Sequence, residues 1–256
     1  MSRYRLLALD LDGTTLTEEK VITHETQTWI RRAEEAGVTV IFATGRGTQT
    51  TQSYWEQLGL QSPMVLVNGA EIWGNPDSLW ERANIHRELI RELHSLAEEW
   101  NAHYWGYSVE SLTSRRNWSE AMFDRDWMKF GIRHDDLDTI QRLRDIVDSW
   151  GTLEITRSAP VNMEISPQGI SKESGVRKVC DRLGIGMDQV IAVGDNMNDY
   201  RLIRAAGLGV AMGNADEQLK RVADAFTDTN ERDGVAKAIQ RYVFGLDVEM
   251  ELASSI

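Results

Sequence analysis

Two aspartates behind a short hydrophobic segment are the residues whose type and spacing best suit chemistry. Residues 4–14 read YRLLALDLDGT, so Asp10 and Asp12 follow an apolar run that is typical of a buried parallel strand. Open α/β sheets place their ligand sites at the carboxyl ends of such strands, and residues two apart on extended chain point the same way. Two close carboxylates repel each other, and a hard divalent cation would remove that repulsion. The alternative is an ordinary acidic turn.

Three further groups of polar residues are candidates for the same site. Two of them follow apolar runs, and the third is Lys172 in GISKESGV, at the start of a predicted helix. VTVIFATGR, over residues 38–46, ends in a hydroxyl, a glycine amide and a guanidinium that can donate to phosphate oxygens. VIAVGDNMNDY, over 190–200, predicts a strand, a tight turn and a helix start, which favour a bound anion. Each group alone is a weak signal, but four in this order are hard to reconcile with chance. The candidate residues in these three groups are Thr44, Gly45, Arg46, Lys172, Asp195, Asn196, Asn198 and Asp199.

Four strings of the sequence resemble the motifs of the haloacid dehalogenase-like hydrolase superfamily, namely DLDGT, ATGR, the later lysine and GDNMND. Three more resemble its Cof-like branch of small-molecule phosphatases: VLVNGAEIW (65–73), GVAMGNA (209–215) and NERDGVAKAI (230–239). The resemblance extends from Arg5 to about Val243, and it gives almost no information about the substrate. The sequence departs from the usual pattern at Thr15, where the family has an apolar residue, and at Glu173, where many relatives have glycine.

The resemblance implies a Mg²⁺-dependent hydrolase of phosphomonoesters, acting on a small phosphorylated metabolite. Asp10 would be the nucleophile that forms an aspartyl-phosphate, and Asp12 would be the general acid and then the general base. The phosphoryl oxygens would be held by Thr44, Gly45, Arg46, Lys172 and Asn198. The magnesium ion would be held by Asp10, by the backbone carbonyl of Asp12, by Asp195 and, directly or through water, by Asp199.

Two alternatives to a phosphatase stay open. A phosphomutase on the same scaffold would pass the phosphoryl group to a second sugar hydroxyl instead of water. A non-enzymatic sensor of phosphate or Mg²⁺ would use the same pocket, although binding alone has no need of Asp12 as a proton carrier. The substrate is open among sugar phosphates, phosphoglycolate, polyol phosphates and flavin-pathway phosphates.

Composition agrees with a cytoplasmic enzyme. The 256 residues carry a net charge of -12 with a pI near 4.9, which argues against nucleic acid as a partner. The single Cys180 excludes an internal disulfide framework and suits a reducing compartment. No apolar run approaches the roughly 20 residues that span a bilayer, and the first strand begins too early for a signal peptide. We therefore expect no membrane partner, and the sequence leaves the oligomeric state unknown.

Alternating strand and helix patterns predict the α/β fold class, with a doubly wound, mostly parallel sheet in a Rossmann-like hydrolase core. The predicted core domain comprises residues 1–75 and 168–256. Between them, residues 76–167 mix helices with short alternating strands, which predicts an inserted α+β cap domain that selects the substrate. Within it, the apolar spacing over residues 80–100 predicts one long amphipathic helix.

Seven of the nine tryptophans lie between Trp73 and Trp150, in or near the predicted cap. We expect most of them to be core, because a domain of about 90 residues needs large side chains to build one. Any exceptions that contact the leaving group are predicted among those in polar, turn-like stretches: Trp105, Trp118 and Trp127. Arg115 and Arg116 could steer an anionic substrate, although a solvated pair is the simpler interpretation. The five histidines show no metal-ligand spacing.

Overall fold

Thirteen short strands and eight α-helices make up the part of the chain, residues 3–250, that the computed structural model describes. The strands are β1 (Leu6–Leu9), β2 (Thr39–Phe42), β3 (Met64–Leu66), β4 (Glu71–Asn75), β5 (Ser78–Arg82), β6 (His103–Ser108), β7 (Leu112–Ser114), β8 (Trp127–Arg133), β9 (Leu153–Thr156), β10 (Asn162–Pro167), β11 (Val190–Gly194), β12 (Leu208–Ala211) and β13 (Ala225–Phe226). The helices are α1 (His24–Glu35), α2 (Thr48–Leu58), α3 (Arg87–Glu99), α4 (Leu137–Ser149), α5 (Lys172–Leu183), α6 (Tyr200–Ala205), α7 (Glu217–Lys220) and α8 (Gly234–Ala238). The predicted core domain also included residues 1–2 and 251–256, which lie outside the described residues.

A parallel sheet carries the first hydrophobic core. Its strands pair in the order β13-β12-β11-β1-β2, and a bridge between Ala43 and Val65 links its edge to β3. β1 lies between β2 and β11, and all four of its side chains are buried, as its apolar run predicts. Helix α1 packs against α8, and α5 against α6. The predicted α/β fold with a mostly parallel sheet is confirmed.

A three-stranded antiparallel sheet, β3-β4-β5, adjoins this core. Trp73 and Trp80 from its hairpin pack against the first hydrophobic core. The prediction of one helix over residues 80–100 is therefore wrong at its start, because Trp80 lies in β5, which pairs with β4, and the helix begins at Arg87. The apolar spacing could not reveal the cross-strand bonds that hold residues 78–82 extended. This pairing favours a cap of residues 83–167 over the predicted 76–167, and the division stays a proposal.

The inserted segment forms an antiparallel sheet in the order β7-β6-β8-β10-β9. One face of this sheet packs with α3 and α4 into a second hydrophobic core built around Tyr104, Phe130 and Met163. Because successive side chains on a strand point to opposite faces, their neighbours in sequence face the other way. Those neighbours include Trp105, Lys129 and Glu164, which line a cavity between cap and core.

Residues 3–250 include no helix that is both long and apolar enough to cross a membrane.

Candidate active site

Asp10 lies at the carboxyl end of β1, beside the end of β11. Its backbone N–H donates to the carbonyl of Val193, and its Oδ1 lies 2.8 Å from Nζ of Lys172. The residue is only 5% exposed. Burial raises the pKa of Asp10 to about 7, although the positive charge of Lys172 opposes the rise. Thr15, which departs from the family pattern, donates its hydroxyl to the backbone carbonyl of Asp10 and so supports this turn.

Lys172 is fully buried and joins two of the predicted carboxylates. It is the first residue of α5, where Ser171 caps the helix and forms a capping box with Ser174. Its Nζ lies 2.8 Å from Oδ1 of Asp10 and 2.7 Å from Oδ1 of Asp199. Burial lowers the pKa of Lys172, but the two carboxylates outweigh that effect and hold the pKa above its ordinary value. The lysine therefore stays charged in the interior.

Asp195 and Asp199 lie in the turn after β11. Oδ2 of Asp199 accepts hydrogen bonds from the backbone N–H groups of Asp195 (3.1 Å) and Asn196 (3.2 Å). The Thr14 hydroxyl donates to Oδ1 of Asp195 at 2.8 Å. Burial raises the pKa of Asp195 well above its ordinary value, and the charges of Asp10 and Asp199 raise it further. Gly13 has a left-handed φ of 76°, and a side chain there would overlap the Asp195 carboxylate.

The three buried carboxylates could hold a metal ion. One oxygen each from Asp10, Asp195 and Asp199 lie within 4.8 Å of one another. Together with Lys172, which pairs with Asp10 and Asp199, the cluster carries a formal charge of −2 in a buried setting. A divalent cation would neutralise that charge, and oxygen ligands are those that hard cations take. The residues present therefore fit the predicted metal site.

Asp12 is held away from this cluster by two cations. Arg46 binds its carboxylate through Nε (2.6 Å) and Nη2 (2.7 Å), and Nζ of Lys20 lies 2.8 Å from Oδ1. Burial raises the pKa of Asp12, but the hydrogen bonds from Arg46 and Lys20 outweigh it and lower the pKa to about 2. Arg46, a predicted phosphate ligand, has its remaining amino group on the carbonyl of Thr50. Each of its three nitrogens thus has a partner, and two of its five N–H groups are left to donate to a ligand.

Thr44 and Asn198 face the same cavity from two turns. Oγ1 of the buried Thr44 accepts a hydrogen bond from the backbone N–H of Arg46 (3.2 Å), which leaves its hydroxyl hydrogen to donate to a ligand. Nδ2 of Asn198 donates to Oδ1 of Asn68 at 3.4 Å. Asn68 and Val67 both have left-handed φ angles, 56° and 52°. A β-branched valine in that region is strained, and such strain clusters at functional sites.

A cavity of about 560 Å³ lies above these groups, between core and cap. Most of the predicted site residues line this cavity, namely Asp10, Asp12, Thr44, Gly45, Arg46, Asp195 and Asn198. Lys172 and Asp199 do not line it, but Lys172 contacts both Asp10 and Asp199. The cap contributes the opposite wall, which consists of Trp105, Tyr107, Lys129, Ser158 and Glu164.

Of the three tryptophans predicted to contact a leaving group, only Trp105 lines this cavity. Trp118 and Trp127 stack on each other at 4.6 Å in the core of the cap, so the prediction is wrong for both. The stretch around Trp118 is polar, but short 3₁₀ turns fold it back over the apolar sheet face. Trp127 is the first residue of β8, and its indole N–H donates to the carbonyl of Met122. Arg115 forms an ion pair with Glu98 and is not among the cavity residues.

Three polar residues were not identified from the sequence: Lys129 and Glu164, which line the cavity, and Asn68, which binds Glu164. Oε2 of Glu164 accepts from Asn68 (2.6 Å) and from Nζ of Lys129 (3.2 Å). A signal was present, because β8 (WMKFGIR) carries Lys129 and β10 (NMEISP) carries Glu164 between apolar residues in the interior of each strand. Period-two alternation puts these charges on the sheet face opposite the apolar core.

Comparison with known proteins agrees with this geometry. A family model described as haloacid dehalogenase-like hydrolase matches residues 7–143 and 113–239. The chain is 40% identical to YcsE of Bacillus subtilis, a 5-amino-6-(5-phospho-D-ribitylamino)uracil phosphatase, over 93% of this chain and 96% of that protein. It is 28% identical to the pyridoxal phosphate phosphatase YbhA of Escherichia coli, over 93% and 98% of the two chains. A solved haloacid dehalogenase-like hydrolase of B. subtilis superposes with a TM-score of 0.84 at 25% identity, covering 92% of this chain and 99% of that one.

A parallel α/β sheet with a cluster of aspartates at its carboxyl edge defines a hydrolase of the haloacid dehalogenase type. The chain belongs to the haloacid dehalogenase-like hydrolase family. The family resemblance that the motifs indicate is thereby confirmed, and the two relatives named above match this chain over nearly their full length.

Proposed function

We propose that this chain is a Mg²⁺-dependent phosphatase that hydrolyses a phosphomonoester of a small metabolite through an aspartyl-phosphate. The observation that carries the proposal is the buried Lys172 between Asp10 and Asp199, with Asp195 alongside, at the floor of a cavity large enough for a metabolite. A purely structural role does not account for three buried carboxylates around one ammonium, because charges removed from water without full compensation cost stability.

Asp10 would attack phosphorus, so that a bond forms between its carboxylate oxygen and phosphorus while the bond to the leaving alcohol breaks. Its Oδ1 is bound to Lys172, which leaves Oδ2 for the attack. Lys172, the Thr44 hydroxyl and the Gly45 loop would hold the phosphoryl oxygens, on which negative charge spreads in such transfers. Water would then cleave the acyl phosphate, which releases orthophosphate and restores Asp10.

Asp12 would give a proton to the leaving alcohol and later take one from the attacking water. Its bonds to Arg46 and Lys20 keep it anionic in this structure, with a pKa of about 2. We propose that the leaving-group oxygen replaces one of these donors when substrate binds, which would raise the pKa of Asp12. Arg46 would then act mainly by holding Asp12 in place.

Mg²⁺ would neutralise the phosphoryl oxygens and the nucleophile, held by Asp10, Asp195 and the backbone carbonyl of Asp12. Asp199 would support the site without direct coordination, because its carboxylate is already engaged by Lys172 and two backbone N–H groups. Magnesium fits this set better than zinc, since the ligands are oxygens without cysteine or histidine.

The cap wall suggests a class of leaving group. Trp105 and Tyr107 offer flat aromatic faces, while Lys129, Glu164 and Ser158 offer hydrogen-bonding groups. Such a wall suits a planar ring joined to a chain of hydroxyls. YcsE is named for a ribitylaminouracil phosphate, which has these two parts. We propose 5-amino-6-(5-phospho-D-ribitylamino)uracil as the first substrate to test.

A panel assay of released phosphate tests the proposal. Ribitylaminouracil phosphate, pyridoxal phosphate, sugar phosphates and phosphoglycolate should be compared, each with Mg²⁺ and with EDTA. At least one should release phosphate in a Mg²⁺-dependent way that Asp10→Asn abolishes. Phosphoryl transfer that needs a sugar bisphosphate and releases no phosphate would favour a mutase instead. Metal or phosphate binding with no turnover on any substrate would favour a sensor.

We also propose that the enzyme works in the cytoplasm. Its one cysteine, Cys180, is buried and packs within the first hydrophobic core, which suits a reducing compartment. Fractionation of cells that express the full-length protein checks this expectation, and recovery with the membrane fraction would contradict it.

A further inference from the structure

A buried ion pair of the cap contacts the loop that is expected to bind phosphate. Lys129 on β8 is 2% exposed and Glu164 on β10 is 6% exposed, and their charged atoms lie 3.2 Å apart. Well-packed apolar residues are often as stabilising as a buried ion pair, so stability alone does not explain this pair. Its contacts with the core indicate a second role.

Lys129 reaches the core through the carbonyl of Gly45. Its Nζ donates to that carbonyl at 2.6 Å. The same peptide group carries the N–H of Arg46, which donates to Oγ1 of Thr44 at 3.2 Å. The lysine therefore fixes the peptide plane that orients the Thr44 hydroxyl, and a charged donor on the carbonyl strengthens the bond that the N–H makes.

Glu164 reaches the other side of the phosphate site through Asn68. Its Oε2 accepts from Nδ2 of Asn68 at 2.6 Å, and Oδ1 of Asn68 accepts from Asn198 at 3.4 Å. The backbone N–H of Asn68 also donates to the carbonyl of Thr44 at 2.9 Å. The left-handed turn at Val67 and Asn68 places the side-chain amide of Asn68 between cap and core. This placement gives a reason for the strained backbone of the turn.

Gly45 is closely surrounded by the groups that connect the cap with the core. A Cβ at this position would lie 3.1 Å from Oδ1 of Asn68, 3.3 Å from Oε2 of Glu164 and 3.4 Å from Nζ of Lys129. The glycine thus lets the cap pair lie directly against the loop.

We propose that Lys129 and Glu164 are positioning residues for phosphoryl transfer: by docking on Gly45 and Asn68, the cap sets Thr44 and Asn198 for the phosphate. The inference rests on the proposed phosphatase function. It gives the cap a part in catalysis on every substrate, besides recognition of the leaving group. Disturbing the pair should therefore slow hydrolysis of p-nitrophenyl phosphate, whose leaving group needs few cap contacts.

The test compares a neutralised pair with a control at another contact between cap and core. The double variant Lys129→Met with Glu164→Gln removes both charges and keeps an acceptor for Asn68. We expect its kcat on p-nitrophenyl phosphate to fall roughly 10- to 100-fold, the effect of misplacing a catalytic contact by about 1 Å. The inhibition constant of inorganic phosphate should rise at least roughly fivefold, since the same donors bind this ion. The Mg²⁺ concentration for half-maximal activity should stay within about twofold, because no metal ligand changes.

The control is Arg201→Met, which breaks the 2.6 Å ion pair between α6 and Glu154 on the cap without touching residues 44–46. Its kcat and its inhibition by phosphate should match the wild type. If the double variant does not fold, Lys129→Gln with Glu164→Gln keeps a polar pair that is too short to reach Gly45, and it should show the same losses. A folded double variant with wild-type kcat and phosphate inhibition overturns the inference. Absence of phosphate release by the wild type would overturn the proposed function instead.

Discussion

Replacement of Asp10 by asparagine should stop turnover and, at the same time, stabilise the metal-free protein. Burial raises the pKa of Asp10 from 3.8 to about 7, so at pH 8 the fold holds a carboxylate that its surroundings disfavour by about 3 pKa units. At 1.36 kcal/mol per unit, that cost is about 4 kcal/mol. Asparagine has no charge to bury, and the pKa of about 7 already includes the attraction of Lys172. We therefore expect a gain of about 2–4 kcal/mol in the free energy of unfolding, or roughly 5–15 °C in Tm.

The gain should depend on pH in a defined direction. The pKa of Asp10 is higher in the folded state than in the unfolded chain, so the native protein keeps a proton between about pH 4 and 7 that the unfolded chain has lost. The stability of the metal-free wild type therefore falls as pH rises through this window, and the variant lacks this contribution. The difference should be small near pH 4, grow to pH 7 and stay constant above it. Saturating Mg²⁺ should reduce or reverse this difference in the free energy of unfolding, because only the wild type has the full set of ligands and is stabilised fully by the bound metal.

Urea unfolding at pH 5 and pH 8, with EDTA and with Mg²⁺, measures the stability of both proteins, and phosphate release measures turnover. We expect kcat to fall at least roughly 10³-fold, because a neutral amide cannot form the acyl phosphate. Asp77→Asn is the matched control, since this exposed carboxylate in the turn between β4 and β5 should change neither property. A metal-free Asp10→Asn protein that is less stable than the wild type at pH 8 would refute the electrostatic reasoning. Near-normal turnover would refute the nucleophile.

Asp12→Ala should lower kcat by about 10²- to 10⁴-fold on alcohol leaving groups and by less on nitrophenolate, which needs no proton; equal losses on both would exclude the acid role. Asp195→Asn should raise the Mg²⁺ concentration needed for half-maximal activity, and an unchanged requirement in a metal titration would contradict its role as a ligand. Trp105→Ala should change the preference among natural substrates while p-nitrophenyl phosphate turnover stays within a few-fold. Trp118→Ala should instead lower the free energy of unfolding by about 2–4 kcal/mol, less than for a fully buried tryptophan because Trp118 is half-buried against the cap core. A stable variant with altered preference would reverse that assignment.

The aspartates and Lys172 could be predicted because the sequence carries their placement locally. A strand that is apolar throughout must be buried, and its first polar residues must lie at the sheet edge, which brings Asp10 and Asp195 together from neighbouring strands. Lys172 lies at a capped helix start, as its local sequence predicts, and its role at the site was predicted from the family resemblance. Their detailed partners could not be predicted, because the choice of Arg46 and Lys20 for Asp12 depends on side-chain directions that spacing does not set.

The cap residues were harder to predict for a physical reason. The alternation of side chains predicts that Lys129 and Glu164 lie on the sheet face opposite the apolar one. It does not predict that this face contacts the catalytic core. For Trp118 and Trp127 the local polarity was misleading, since turns can fold a polar stretch onto an apolar sheet. The predicted start of the long cap helix was wrong for a similar reason, because the pairing of β5 with β4 overrides the helical spacing around Trp80.

The position of β1 in the sheet has a consequence for how the protein is made. This strand leaves the ribosome about 180 residues before its neighbour β11, and the whole cap is made between them. Pairings over such distances form slowly, and β1 must wait, apolar and unpaired on one side, while the cap strands can pair among themselves. A chain interrupted before residue 190 has a cap but no complete aspartate cluster. The aspartate cluster, and with it catalytic competence, can therefore form only after the cap has been made, and until then β1 lacks its partner strand on one side.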